Sequence, residues 1–287
     1  MTKIRNIFTI DLEEWFVVEI FAARYNIDSW DKLHSTVFEN TLTLLKLLRR
    51  YNVKATWFVL GYCAERYPEM VQEVAHYGHE IACHSYSHRR VDKMTPDEFK
   101  RDTEKAVSAI IGAIGQPPRG YRAPSWSINN NTPWAFEILA EMGFDYDSSI
   151  FPIKHDIYGW PDGPTEEFKM KFDSGKTLIE LPASTINLLG KNIPVAGGGY
   201  FRHSPYWYTK SVVNNLNKKG IPSIFYIHPW EVSESLPKLE GLSLLQKFRT
   251  YSSNAILKFK MRKLMEDFSF TTMADHLGLY RKNRIGF

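Results

Sequence analysis

The strongest constraint on the fold is the alternation of short apolar segments with segments of helical periodicity. Seven apolar segments end in polar or turn residues, which is typical of buried strands. They run over residues 4–10, 54–61, 80–84, 120–123, 144–150, 177–184 and 222–228. Helical patterns lie between several of them, for example from Val37 to Tyr51 and from Thr95 to Gly112. This alternation predicts a parallel sheet, either open or closed into a barrel.

Ionisable residues stand at or just past the ends of five of these predicted strands. They are Asp11, His84, Arg122, Asp147 and His228. The carboxyl ends of parallel strands meet at one rim, which is where ligands bind in barrels and open α/β sheets alike. We therefore expect these five side chains to lie close together.

Two histidines four residues apart, His84 and His88, follow the third strand. Their imidazoles can bind one divalent metal ion if a carboxylate joins them, and the segment Asp11-Leu12-Glu13 can supply it. Ser85 stands where H-E-x-x-H metalloproteases carry their glutamate base, so a base must come from another segment. The spacing alone also fits two unrelated surface histidines, but the rim position favours a metal site.

Composition restricts the function further. The chain of 287 residues is 44% hydrophobic, enough for one large α/β domain, and no linker divides it. Its formal charge of +4 is spread out, which argues against a nucleic-acid reader. No apolar run approaches the roughly 20 residues of a membrane helix, so we expect no integral membrane segment. The first residues lack a signal-peptide pattern, which predicts a cytoplasmic protein.

Five motifs, in order, resemble those of the polysaccharide deacetylases of carbohydrate esterase family four, with the nodulation-type deacetylase homology domain. They are Asp11-Leu12-Glu13-Glu14, His84-Ser85-Tyr86-Ser87-His88, Arg122-Ala123-Pro124, the Asp147-containing segment 143–149, and Tyr226-Ile227-His228-Pro229-Trp230. The first motif departs from the family's two adjacent aspartates and is similar to the version of the exopolysaccharide-locus branch.

The resemblance covers about residues 8–230 of the sequence. It implies a distorted (β/α)7 barrel of parallel strands with the active site at the C-terminal rim. We expect one domain over residues 1–287, with a core over 4–235 and a family-specific extension over 236–287.

The resemblance also implies catalytic roles. Asp11 is expected to act as general base and His228 as general acid. Arg122 is expected to pair with Asp11, and Asp147 to orient and charge His228.

Ligand-binding roles follow in the same way. The resemblance implies that Glu13, His84 and His88 hold a divalent ion, with Glu14 as the alternative carboxylate. Zn²⁺ is the expected metal, and Co²⁺, Ni²⁺, Fe²⁺ or Mn²⁺ are alternatives. Substrate contacts are expected from Ser125, through its backbone N–H, and from the indoles of Trp126 and Trp230.

The expected function is hydrolysis of acetyl groups, N-acetyl in the first instance, on a bacterial polysaccharide or on its lipid- or nucleotide-linked sugar precursor. A lipid-linked substrate would bring peripheral membrane contact. Two other functions compete with this one: hydrolysis of a cyclic amide or imide on the same fold, and saccharide binding without catalysis.

Overall fold

Parallel strands in one continuous sheet dominate the structure. A computed structural model describes residues 4–156, 158–195, 197–251 and 254–279. The strands are β1 (Arg5–Leu12), β2 (Thr56–Val59), β3 (Glu80–Cys83), β4 (Gly120–Tyr121), β5 (Tyr146–Asp147), β6 (Phe168–Lys171), β7 (Thr177–Glu180), β8 (Thr185–Leu188), β9 (Lys191–Pro194), β10 (Ile224–Ile227) and β11 (Ser269–Thr271). Along the sheet the order is β10-β1-β2-β3-β4-β5-β7-β6, and β11 pairs with β1.

All seven predicted strands are present, as β1, β2, β3, β4, β5, β7 and β10, and all of them run parallel. The hydrogen-bonded ladder does not close, because β10 and the antiparallel strand β6 are its two ends. Between β7 and β10, the backbone N–H of Ile224 donates to Ser184 Oγ at 2.8 Å. The predicted fold class, a distorted (β/α)7 barrel, is confirmed.

Helices surround this sheet. They are α1 (Glu19–Ala22), α2 (Val37–Arg50), α3 (Gly61–Arg66), α4 (Pro68–His76), α5 (Pro96–Ile114), α6 (Trp134–Glu141), α7 (Gly198–His203), α8 (Tyr206–Lys218), α9 (Leu244–Tyr251), α10 (Asn254–Asp267) and α11 (Met273–His276). Helix α5 shows how sequence sets the bounds: Thr95 and Glu98 form a capping box at its start, and Gly115 ends it in the left-handed region at φ 74°. Within the described ranges, no helix is both long and apolar enough to cross a bilayer.

The C-terminal segment closes the other end of the barrel. Glu80, at the start of β3, accepts hydrogen bonds from Thr56 Oγ1 at 2.6 Å and Tyr146 Oη at 2.7 Å. It also accepts the backbone N–H of Ala274 in α11 at 3.0 Å. Strand β11 and α11 belong to the predicted extension over 236–287, and the division of the chain into a core and an extension stays a prediction. Residues 280–287 of that extension lie outside the described part of the chain.

The triple glycine Gly197-Gly198-Gly199, which as a motif suggests a tight turn, begins a short helix instead. Gly197 has φ +114°, and a Cβ there would lie 2.1 Å from the Tyr226 ring. The glycine is therefore needed so that the start of α7 can approach β10 closely.

Candidate metal and catalytic site

Three side chains converge at the C-terminal rim of the sheet: Glu13, His84 and His88. Glu13 Oε2 lies 2.8 Å from His88 Nε2 and 3.4 Å from His84 Nε2. The donor atoms of all three lie within 4.8 Å of one another, and Glu13 and His84 are 2% exposed. Two imidazole nitrogens and one carboxylate oxygen form a donor set that suits Zn²⁺ and neighbouring transition metals.

The strands and a strained turn position the two imidazoles. His84 follows β3, and its Nδ1 lies 2.8 Å from the backbone oxygen of Arg122. A carbonyl only accepts, so Nδ1 carries the proton and Nε2 remains available as a ligand atom. Ser85 and His88 both adopt left-handed backbone conformations, at φ 60° and φ 52°, and this turn brings His88 beside His84. Asp102 secures the turn by accepting the N–H of Tyr86 at 2.8 Å.

Glu13 and Glu14 point to different partners, which resolves the choice of carboxylate. Burial alone would raise the pKa of Glu13, but His88, His228 and His84 outweigh it and hold that pKa well below its usual range. Glu14 instead accepts hydrogen bonds from the Ser35 hydroxyl and from the Thr36 backbone N–H. Burial raises the pKa of Glu14 to about 7. Glu13 is therefore the carboxylate that joins the two histidines.

Asp11 and Arg122 form a buried ion pair next to these ligands. Arg122 Nη1 donates to Asp11 Oδ1 at 2.7 Å and to Thr9 Oγ1 at 2.8 Å. Its Nε donates to the backbone oxygen of Ser148 at 3.1 Å. The guanidinium is fully buried and stacks over the ring of Phe58 at 4.1 Å. The predicted pairing of Arg122 with Asp11 is present.

His228 directly follows β10, the strand that pairs with β1. Its Nε2 is 3.8 Å from Asp11 Oδ2 and 3.9 Å from Glu13 Oε1. Burial would lower the pKa of His228, but the charges of Glu13, Glu231 and Asp11 outweigh it and raise that pKa to about 9. These charges favour the imidazolium form of His228, which carries a proton on Nε2.

The prediction that Asp147 orients His228 is wrong. Glu231 does so: its Oε2 lies 3.0 Å from His228 Nδ1 and accepts the His228 backbone N–H at 3.1 Å. Arg202 of α7 lies behind it, with Nη1 at 3.4 Å from Glu231 Oε1. The sequence carried a signal for Glu231, which follows His228 by three residues at the first turn after β10. Nothing in the sequence pointed to Arg202.

Asp147 has other partners. Its carboxylate accepts the hydroxyl of Ser149 at 2.7 Å and the Ser149 backbone N–H at 3.0 Å. It also shares a hydrogen bond with the buried carboxyl of Glu180. Burial raises the pKa of Asp147 to about 6, and burial together with the charge of Asp147 raises the pKa of Glu180 well above its ordinary value. These two carboxyls share a proton beneath the rim rather than contacting the imidazole of His228.

The predicted substrate residues line the site but also support it. Trp126 packs between the rings of Phe151 at 5.2 Å and Tyr226 at 5.0 Å. The indole N–H of Trp230 donates to Glu13 Oε1 at 3.2 Å. Only 5% of Trp126 and 8% of Trp230 is exposed, so stacking of either indole on a sugar remains a prediction.

Ser125 lies at a strained turn beside the site. Ser125 and Trp126 have consecutive left-handed conformations, at φ 51° and φ 50°. The Ser125 hydroxyl donates to Glu19 Oε1 at 2.8 Å, which fixes this turn against α1. Such strain clusters at functional sites.

One cavity of about 620 Å³ lies at this rim. Its walls include Asp11, Glu13, His84, His88 and His228. A loop after β5 contributes His155 and Tyr158, whose rings stack at 4.0 Å, and α7 contributes Tyr200 and Arg202. This volume is typical of small-ligand sites.

The fold and this site define the class of protein: a parallel α/β barrel with a histidine–carboxylate cluster that could hold a metal ion at the carboxyl ends of its strands. Comparison with known families agrees. Residues 29–146 match the family model described as "Polysaccharide deacetylase", and residues 148–278 match "Domain of unknown function (DUF3473)". The polysaccharide deacetylase match includes His84, His88 and Arg122. Membership of the whole chain in carbohydrate esterase family four is what the sequence motifs imply. Its place in the exopolysaccharide-locus branch stays a prediction.

Individual relatives and solved structures are consistent with this family. Over 100 residues, 34% of this chain, the sequence is 37% identical to the peptidoglycan-N-acetylglucosamine deacetylase of Bacillus cereus. The matched part is 36% of that relative's length, so the chain spans about a third of the curated relatives it matches.

Two solved structures match nearly the whole chain. A candidate polysaccharide deacetylase of Mycobacterium smegmatis has a TM-score of 0.60 at 20% identity, over 100% of this chain and 96% of that one. Puue allantoinase has a TM-score of 0.62 at 14% identity, over 98% of this chain and 91% of that one. At such identities the likeness shows the fold alone.

Proposed function

We propose that this protein is a metal-dependent deacetylase that hydrolyses an N-acetyl group of a saccharide. One observation carries the proposal: a metal donor set, a base and a proton donor meet in a single cavity of about 620 Å³. The relatives that match the sequence include peptidoglycan deacetylases, which supports a saccharide amide as substrate.

Glu13, His84 and His88 would hold the ion, with Zn²⁺ as the expected metal. When bound, it would supply Lewis-acid chemistry, polarising the acetyl carbonyl and lowering the pKa of a nearby water. Trp230 holds Glu13 Oε1 and the Arg122 carbonyl holds His84, so both ligands are pre-oriented.

Asp11 is the proposed general base. Arg122 Nη1 donates to Asp11 Oδ1 at 2.7 Å. The other carboxylate oxygen, Oδ2, lies 3.8 Å from His228 Nε2. Oδ2 would accept the proton of the attacking water, which adds to the acetyl carbon. The backbone N–H of Ser125 is the proposed donor to the oxygen that becomes negative.

His228 is the proposed general acid. The amide nitrogen is a poor leaving group until it is protonated, and His228 Nε2 would give it that proton as the carbon–nitrogen bond breaks. Acetate and a free amine are the products. Glu231 keeps the imidazole protonated and fixes its ring through Nδ1, a positioning role.

The proposed substrate is an acetylated sugar on a lipid or nucleotide carrier, or a polysaccharide built from such units. A cavity of about 620 Å³ matches one or two sugar rings better than a long chain segment.

The test is acetate release from a panel of N-acetylated and O-acetylated sugars, sugar nucleotides and oligosaccharides, with a small cyclic amide included. The metal-reconstituted wild type is expected to release acetate, while Asp11→Asn loses turnover but keeps its metal. Glu13→Gln is expected to lose metal, measured by elemental analysis, while the matched variant Glu14→Gln retains it.

Two outcomes would refute the proposal. Cleavage of the cyclic amide without acetate release would make the protein an amidohydrolase of another kind. Saccharide binding with no turnover by the metal-loaded wild type would make it a binding protein.

A further inference from the structure

One stretch of the chain concentrates positive charge. Residues 241–265 contain Lys247, Arg249, Lys258, Lys260, Arg262 and Lys263 and no acidic residue. Their six charges exceed the formal net charge of +4 of the whole chain. This stretch covers α9 and all of α10 except its last two residues, Glu266 and Asp267, which are acidic.

The same helices expose large apolar side chains. Leu244 is 86% and Phe248 56% exposed on α9, and Ile256 and Phe259 are each 50% exposed on α10. The opposite side of α10 is buried in the core through residues such as Leu257. The outward side is therefore not the core-facing stripe of an ordinary surface helix. We call these four exposed residues, with Lys247, Arg262 and Lys263, the α9–α10 surface.

This surface borders the catalytic cavity. Lys260 Nζ donates to the backbone oxygens of Phe201 at 2.8 Å and Arg202 at 2.9 Å, which fixes α10 on α7. The exposed ring of Phe248 stacks on His203 of α7 at 4.6 Å. His203 and Thr250 of α9 both line the cavity. Whatever binds the α9–α10 surface therefore lies beside the cavity.

We propose that the α9–α10 surface docks this protein on an anionic lipid bilayer. Exposed apolar side chains beside an excess of cations are the pattern of helices that lie in the membrane interface. One acid borders this surface: Glu266 pairs with Lys263 at 3.2 Å. The apolar groups enter the headgroup boundary while Lys247, Arg262 and Lys263 meet lipid phosphates. A second copy of the chain is the poorer occupant, because a symmetric contact would bring two strongly basic segments together.

Docking of this kind would hold the cavity close to the lipid headgroups. A saccharide carried on a membrane lipid, the substrate class proposed above, would then reach Asp11 and His228 without leaving the bilayer surface. The docking inference does not depend on catalysis, since vesicle binding can be measured whether or not the protein releases acetate.

The experiment is flotation of the full-length protein with phosphatidylcholine vesicles, with and without phosphatidylglycerol. The wild type is expected to float only with the anionic vesicles, and less at high salt. The charge variant K247Q/R262Q/K263Q is expected to weaken partitioning on the order of a hundredfold. The apolar variant L244Q/I256Q is expected to weaken it on the order of tenfold.

Matched controls separate surface chemistry from total charge. K169Q/K171Q/K176Q removes three exposed cations from the β6–β7 hairpin, and I111Q removes a half-exposed isoleucine from α5. Both are expected to bind vesicles like the wild type, and circular dichroism confirms that every variant is folded.

Three results would overturn the inference. They are absence of binding to anionic vesicles, an equal loss in the β6–β7 control, and a dimer in sedimentation that L244Q/I256Q converts to a monomer. The last result would identify the α9–α10 surface as a contact between copies of the chain.

Discussion

Replacing Glu231 by glutamine tests the proposed proton donor His228 without removing a candidate metal ligand. Glu231 is fully buried, with one oxygen 3.0 Å from His228 Nδ1 and the other 3.4 Å from Arg202 Nη1. Glutamine has the same shape but only one acceptor oxygen. If that oxygen faces the imidazole of His228, the amide NH₂ points at the guanidinium of Arg202. In the other rotamer the amide NH₂ points at Nδ1–H of His228. One of the two contacts is therefore lost in either orientation.

The expected loss is large for so small a change. A carboxylate and a cation about 4 Å apart interact by ~4 kcal/mol at an effective dielectric constant of ~20. General acids contribute roughly 10²–10⁴-fold to rate. We expect E231Q to lower kcat about 10²-fold, equivalent to ~2.7 kcal/mol in barrier height, with KM changed less than about threefold. Because less negative charge then stabilises the imidazolium, the alkaline limb of the kcat profile should move to lower pH.

The assay is steady-state acetate release on the substrate that the panel identifies, with ¹⁵N NMR of the His228 ring as a readout independent of turnover. The double variant H228A/E231Q should be no slower than H228A alone, because Glu231 acts through the imidazole. Additive losses would refute this reasoning. So would a loss in D147N together with normal kcat in E231Q, since it would return the orienting role to Asp147.

Three further predictions concern stability. E180Q should raise the free energy of unfolding by about 1–2 kcal/mol at pH 8 and little at pH 5. The pKa of Glu180 is raised in the folded protein, so the stability that its protonated carboxyl provides is complete below pH 4.5 and is lost as pH rises. Glutamine does not ionise, so the variant does not lose this stability at high pH. E80A should destabilise by about 3 kcal/mol, because three donors at the closed end of the barrel lose their acceptor, while metal binding at the rim is unchanged. G197A should destabilise by about 2 kcal/mol or more, because its Cβ would strike the ring of Tyr226.

Urea denaturation and elemental analysis check all three. Equal effects of E180Q at both pH values would contradict the shared proton, and metal loss in E80A would contradict the separation of the two ends. G112A is the control for G197A: a Cβ at Gly112 of α5 meets nothing within 4 Å, so alanine there should stabilise the protein by about 0.5–1 kcal/mol. Similar destabilisation by both alanines would contradict the role given to Tyr226.

The strands and the rim residues were predictable because they depend on local chemistry. Buried apolar runs specify strands, and parallel strands bring their last residues to one edge, so Asp11, His84 and His228 could be placed together before any coordinates. The choice between Glu13 and Glu14 could not be made, because adjacent residues diverge only once Ser35 and Thr36 pack against one of them.

The contacts of Glu231 with His228 and of Arg202 with Glu231 were not predictable for a similar reason. Glu231 reaches the imidazole through a single 3-10 turn, and Arg202 arrives from a helix that the glycine-rich sequence disfavours. Packing overrides that preference, since Lys260 binds the last carbonyls of α7 and Gly197 fits against Tyr226. Such contacts join residues far apart in sequence and leave no periodic trace.

Because the strand ladder is open, the proposed proton donor follows an edge strand, whereas the candidate metal ligands follow interior strands. The proposed proton donor follows β10, whose ladder partner among the described strands is β1, with Ile10 opposite Ile227. The candidate metal ligands follow β1 and β3, both of which have neighbouring strands on each side. A small shift of β10 along its axis would change the distance between Asp11 and His228. The positions of Glu13, His84 and His88 would stay the same.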